Sequence, residues 1–281
     1  MDCFMFPGQP LARGAALPPD EGFTTIAELV RQKAGFDLLT SSWLREASTE
    51  NVGLQLYGVG MSLYMNRKMR SAGIQPAVVA EHSMGIYPAL AACSSLPEAE
   101  VIELTWRVGA CLAEMGKNRG FALGCIIGLT CEPVLAIAGN SGTHLANHNT
   151  SRHFLLCGTK ENIETAVAEA LAQGAFSAKV FDCDAPLHTP LISELETPLR
   201  QILADYSYAE PCGVLIDHLE QNRLKAKDLP DFMFRQLCMP VYWERTYRAL
   251  VSMGAKRFHE VGAGEALKKY NRWIASETDQ K

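Results

Sequence analysis

A serine placed between a β-branched run and an apolar helix is the first group in this chain able to do covalent chemistry. The stretch Val78-Val79-Ala80-Glu81-His82-Ser83-Met84-Gly85-Ile86-Tyr87 has the outline of a nucleophile elbow. In such an elbow a sharp strand-to-helix turn pushes the hydroxyl clear of the sheet and leaves the first helical amides to hold an oxyanion. The pattern ordinarily places glycine two residues before and two residues after the serine; Gly85 fills the second place, and Glu81 stands in the first. Taken alone, the motif equally suits an ordinary strand-turn-helix with a capping serine. If the elbow is real, Glu81 must turn away from Gly85 and find a donor on a neighbouring strand or helix.

A base for Ser83 would have to come from elsewhere in the chain. His188 lies just past a strand terminus in Asp184-Ala185-Pro186-Leu187-His188-Thr189-Pro190, with Thr189 the expected N-cap and Pro190 the first helical residue; its other reading is a structural histidine. His82 suits the task less well, because adjacent residues at a strand end point to opposite faces. Arg107 falls on the apolar stripe of a helix, with Leu104, Val108 and Cys111 around it. A guanidinium directed inward needs an anion, which is either an internal carboxylate or a ligand. His144, His148 and His153 form a cluster that no carboxylate or cysteine completes, and Gly142, Asn147 and Asn149 disfavour a helix that would align the first two, so no metal is expected. Gly262 and Gly264 open the last helix, where a phosphate or a plain tight turn fits equally.

The elements that must position these groups follow from periodicity. Cys3 to Phe6 and Ala77 to Ala80 read as strands, with helical patterns at 26–34 and 54–69 between them. This order argues for a parallel sheet with its site at the carboxyl ends of the strands. Residues 98–116 form a clear amphipathic helix. From Gly120 to about Asp184 the texture changes to short strands at 122–129, 153–157 and 178–183 with a helix at 161–173, the pattern of a small α+β subdomain inserted in the larger one. The remainder reads as helices at 191–203, 231–236 and 243–253, strands near 214–216 and 257–261, and a last helix.

Composition excludes several functions. A net charge of -5 gives no general attraction to nucleic acid or acidic membranes. No apolar run approaches the ~18–20 residues of a membrane span, and the N-terminus lacks the basic start of a signal peptide. The nine cysteines are scattered without a C-x-x-C pair, which favours reduced thiols over a disulfide framework or a zinc site. A cytoplasmic protein is expected.

The motifs also fall in a familiar order: Phe6-Pro7-Gly8-Gln9, His82-Ser83-Met84-Gly85, Arg107, Ala146-Asn147-His148-Asn149, Ala185-Pro186-Leu187-His188, Met239-Pro240-Val241-Tyr242-Trp243 and Glu260-Val261-Gly262-Ala263-Gly264. Nearly end to end, the chain resembles the malonyl-CoA:acyl carrier protein transacylases. The resemblance implies an α/β-hydrolase-like large domain (1–119 and 188–281) with a parallel sheet, and an inserted ferredoxin-like small subdomain (120–187). It implies Ser83 as nucleophile, His188 as general base, and the backbone amides of Gln9 and Met84 as the oxyanion hole. Arg107 would bind the free malonyl carboxylate, and a backbone carbonyl of the Pro240-Val241-Tyr242 segment, assigned to Tyr242, would orient the histidine. The implied activity is that of an [acyl-carrier-protein] S-malonyltransferase of fatty-acid or polyketide synthesis. Its partners would be malonyl-CoA and an acyl carrier protein, with no bound cofactor, no metal and a monomeric state. Departures from the family pattern at Glu81, Ile86, Pro10, Leu11 and Leu187 leave two other readings open. One is a thioester hydrolase or transferase for another acyl group; the other is a weakened carrier-protein-binding subunit. Retention of Arg107 is the argument for a diacid.

Overall fold

The computed structural model describes residues 1–10, 17–40, 50–117 and 119–278. In chain order its elements begin β1 (Asp2–Phe6), α1 (Glu21–Ala34), α2 (Glu50–Ser71), β2 (Val78–Glu81), α3 (Ile86–Ala92) and α4 (Glu98–Gly116). There follow β3 (Phe121–Ile127), α5 (Cys131–Ser141), β4 (His144–Thr150), β5 (His153–Thr159), α6 (Lys160–Ala172) and β6 (Ser177–Cys183). The chain closes with α7 (Glu196–Ala204), β7 (Val214–Ile216), α8 (Leu229–Cys238), α9 (Trp243–Ser252), β8 (Arg257–Glu260) and α10 (Ala266–Thr278).

Strands β7-β2-β1-β8 form a wholly parallel sheet. Their sequences are continuous apolar runs because both faces are covered. In β1, Phe4 and Phe6 point into the core built with α1 to α4, α7 and α8, whereas Cys3 and Met5 point into a second core with Trp243, Leu250, Leu267 and Ile274 of α9 and α10. The period-2 alternation of a strand thus divides one short run between two hydrophobic layers.

Strands β4-β5-β3-β6 form a second, antiparallel sheet. With α5 and α6 it follows the β-α-β-β-α-β order of a ferredoxin-like unit and has its own core around Ile126, Ile137, Phe154 and Ile163. A Cβ added at Gly116 would lie 1.5 Å from the Asp184 carbonyl oxygen. The segments entering and leaving this unit therefore press on one another. The two sheets are also stitched at Val241, whose N–H donates to Ala146 O at 2.9 Å and whose carbonyl accepts the His148 N–H at 2.8 Å.

Two local expectations differ from what forms. Residues 144–150 are a strand rather than a loop, with Asn147 and Asn149 buried in it. The segment after His188 begins as a 3-10 turn at Pro190–Leu195, and Thr189 does not cap it, since its Oγ1 donates to Pro186 O at 2.5 Å. Leu11 and part of the loop expected after Phe6 lie outside the described residues. Among the described residues no helix is long and apolar enough to cross a membrane, and no cluster of three or more His, Cys, Asp or Glu could hold a metal ion.

Candidate active site

Strand β2 ends at Glu81, His82 is extended, and Ser83 has φ 57° before a 3-10 turn runs into α3. A left-handed backbone at a non-glycine residue costs about 1–3 kcal/mol and persists only where its surroundings impose it. Here the end of β1 imposes it. Phe6 O accepts the His82 N–H at 3.0 Å, the Gly85 N–H returns to His82 O at 3.0 Å, and a Cβ at Gly85 would lie 2.1 Å from Phe6 O. Gly85 is needed because two backbones meet there.

The Ser83 hydroxyl faces His188 Nε2 at 2.6 Å. His188 also has a left-handed backbone, with φ 62°. Its N–H donates to Leu237 O at 2.7 Å, and its Nδ1 donates to Gln236 O at 2.7 Å. Both carbonyls belong to the last turn of α8, where helical carbonyls lack helical partners. Holding Nδ1 as a donor leaves Nε2 as the acceptor for the serine proton. Burial pushes the His188 imidazole down to about 3, with His218 adding to the shift, so the ring is neutral and able to accept that proton.

The orienting carbonyl is thus that of Gln236 and not that of Tyr242. The Tyr242 carbonyl opens α9, accepting the Thr246 N–H and Oγ1, each at 3.1 Å. The helix stop ahead of Pro240 was the available signal, but a main-chain acceptor has no residue-type signature.

Met84 opens the 3-10 turn directly after Ser83, and the loop bearing Gln9 packs against the elbow. A Cβ at Gly8 would lie 2.8 Å from His82 Nδ1, and one at Gly58 of α2 would meet both Met84 Cε and Pro10 Cδ. The structure does not bring Arg107 into this group. Its Nη2 donates to Asp205 Oδ2 at 2.5 Å, its Nη1 lies 3.4 Å from the Tyr206 hydroxyl, and the guanidinium covers the Tyr206 ring. The Arg107 side chain is 29% exposed and already paired with a protein carboxylate, which corrects its reading as a waiting receptor for a substrate carboxylate.

Glu81, fully buried, turns away from Gly85 and binds His218, which follows β7. His82 donates Nε2–H to Asn149 Oδ1 at 2.9 Å, and Asn149 Nδ2 donates to His153 Nδ1 at 3.0 Å. His82 therefore ties the elbow to the second sheet and does not face Ser83's proton. His148 pairs instead with Glu244, at 3.4 Å. The start of α10 is occupied by the Glu260 carboxylate, which accepts the Leu267 and Lys268 amides at 3.1 and 2.9 Å. Gly262 and Gly264 accordingly serve close packing and a turn (φ 92° at Gly264) and leave no room for a phosphate.

Residues 16–259 match the model of the acyl transferase domain. The malonyl CoA-acyl carrier protein transacylase of Escherichia coli K12 is 25% identical over 291 residues, covering 94% of this chain and 89% of that protein. Polyketide biosynthesis protein ThaF of Burkholderia thailandensis is 24% identical over 95% of this chain, which spans only 24% of ThaF's length. Among solved structures, a malonyl CoA-acyl carrier protein transacylase from Coxiella burnetii superposes with a TM-score of 0.88 at 24% identity, over 98% of this chain and 91% of that one. A malonyl-transacylase solved in complex with its type II PKS acyl-carrier protein gives 0.89 at 21% identity, over 98% and 93%. Elbow, dyad and two-sheet architecture agree with the sequence match over most of the chain: it belongs to the acyl transferase domain family.

Proposed function

We propose that this chain moves an acyl group between thioesters through an acyl-Ser83 intermediate, with malonyl-CoA as donor and the phosphopantetheine thiol of an acyl carrier protein as acceptor. The observation that carries the reading is the 2.6 Å approach of a strained, elbow-borne serine to a buried histidine of the correct tautomer. Relatives named as malonyl CoA-acyl carrier protein transacylases support the choice of donor and acceptor.

In the first half-reaction His188 Nε2 takes the Ser83 proton as Oγ attacks the thioester carbonyl. The oxyanion is held by the Met84 and Gln9 amides, each worth about 3–4 kcal/mol in such a role. Collapse expels the CoA sulfur, which recovers the proton from His188. In the second half-reaction the carrier thiol gives its proton to the same nitrogen and attacks the ester, freeing Ser83.

The ion pair between Arg107 and Asp205 favours a second reading for the acyl group. With that guanidinium engaged and Leu187 packed among apolar neighbours just before His188, an uncharged acyl chain fits the site, and water becomes a competing acceptor. Intact mass spectrometry with a panel of acyl-CoAs, with and without holo carrier protein, tests both. A mass gain on the wild-type chain that is absent in S83A, and slowed about a hundredfold or more in H188A, is the expected result. No adduct from any donor overturns acyl transfer, and an adduct lost to water faster than to carrier selects hydrolysis.

A further inference from the structure

Beside the dyad lies a second pair of titratable groups that acyl transfer leaves unused. Glu81, the last residue of β2, and His218, just beyond the adjacent strand β7, are both fully buried. The Glu81 oxygens lie 2.7 and 2.8 Å from His218 Nδ1, and Oε1 also accepts the His218 backbone N–H at 3.3 Å. The His218 ring stands edge-on to His188 with centroids 6.3 Å apart, and edge-on to Phe232 at 5.6 Å. Phe232 is one turn before Gln236 on α8, and Gln236 O holds His188 Nδ1. The pair therefore adjoins both the base and the helix that orients it. His218 Nε2 has no hydrogen-bond partner among the described residues, so Glu81 is the group that fixes the charge on this ring.

We propose that Glu81 and His218 are a positioning pair for His188: whether the pair holds one acid proton or none sets the charge facing the base, and with it the base's hold on the Ser83 proton. The inference rests on the acyl-transfer reading of Ser83 and His188. Other charged groups nearby are already engaged. The Asp217 carboxylate accepts the amides of Leu219, Glu220 and Asn222; Arg235 of α8 is taken by Glu220 and Asp231; and His82 is bound to Asn149. Burial, reinforced by the Asp217 charge, pushes the Glu81 carboxyl well above the usual carboxylate range, and burial pushes His218 down to about 3. In its resting state the pair is neutral and shares one proton along the bond between Oε and Nδ1. Loss of that proton from the Glu81 carboxyl leaves a net negative charge near the site where imidazolium forms at every proton transfer. At this range, with an effective dielectric of about 20, a unit charge shifts a neighbouring group by roughly one pKa unit.

The test follows the His188 imidazole by NMR against pH in histidine-labelled wild type, E81Q and H218N, with Ser83 acylation rates measured over the same pH range. Glutamine keeps the size of Glu81 and an acceptor for the His218 N–H groups, so E81Q alone decides the matter should H218N fail to fold. In wild type the His188 signal is expected to shift again above the usual carboxylate range, with a severalfold rise in acylation at the same pH; both variants lose that shift. Superimposable His188 titrations in wild type and E81Q overturn the proposal, as does an upper shift that survives in both variants. If no donor acylates Ser83 while the NMR behaves as stated, the acyl-transfer reading falls and the coupling stands.

Discussion

Arg107 donates to Asp205 from α4 across to the end of α7, with the Asp205 side chain 58% exposed and Tyr206 beneath the guanidinium. A pair this open contributes about 0–1 kcal/mol to stability, so its interest lies in what it denies the substrate. A guanidinium that must first leave Asp205 is a poor clamp for a malonyl carboxylate. R107A is therefore expected to lower the melting temperature slightly and to leave the ratio of malonyl to acetyl acylation unchanged in competition assays by mass spectrometry. A collapse of malonyl acylation alone would show that Arg107 swings into the cleft when substrate binds. Glu81 illustrates the converse at the same scale. A carboxylate standing where the elbow pattern wants glycine had to find a donor, and His218 was that donor, but nothing in the residue types of the 217–222 loop announced it.

At the scale of elements, the elbow depends on β1 and α3 approaching one another at backbone distance. G85A is expected to force Phe6 and the turn apart, costing about 1–3 kcal/mol of stability and relaxing Ser83 out of its left-handed geometry. Thermal melts combined with acylation rates check this; wild-type acylation in G85A would mean that the strained turn is dispensable. The amphipathic helix α4 and the strand β7 were readable residue for residue, because one apolar stripe and one short β-branched run each allow a single periodicity. Strand β4 was not readable. Its buried positions include Asn147, Asn149 and Thr150, whose side chains are satisfied by partners distant in sequence, so alternation of apolar and polar residues never appears. Ser83 and His188 stood out by residue type and place in the chain, whereas the carbonyl that orients His188 did not, since every residue carries one.

For the molecule as a whole, four histidines, His82, His153, His188 and His218, are held by burial at about 4, 4, 3 and 3, against 6.5 when unfolded. Between those limits the unfolded chain binds more protons than the folded one, so stability falls as pH drops below 6.5 toward 3. Glu81 works in the opposite direction. Its raised carboxyl keeps a proton that the unfolded chain has released, so its contribution is lost as pH rises above 4.5. With four groups against one, melting temperature is expected to fall steadily from pH 7 to pH 5. A flat profile in that window would mean that the imidazoles charge without opening the fold.

The contact between Gly116 and the Asp184 carbonyl bears on how such a molecule is assembled and altered. Because the chain leaves the parallel-sheet layer and returns to it at one point, the ferredoxin-like unit hangs on a closed neck and spans no gap in its host. A neck of this kind makes the unit an exchangeable cassette. It can be lengthened, shortened or replaced by a relative's version while the strands on either side keep their register, and the return path delivers whatever follows it, here Leu187 and His188, to the same place beside the nucleophile.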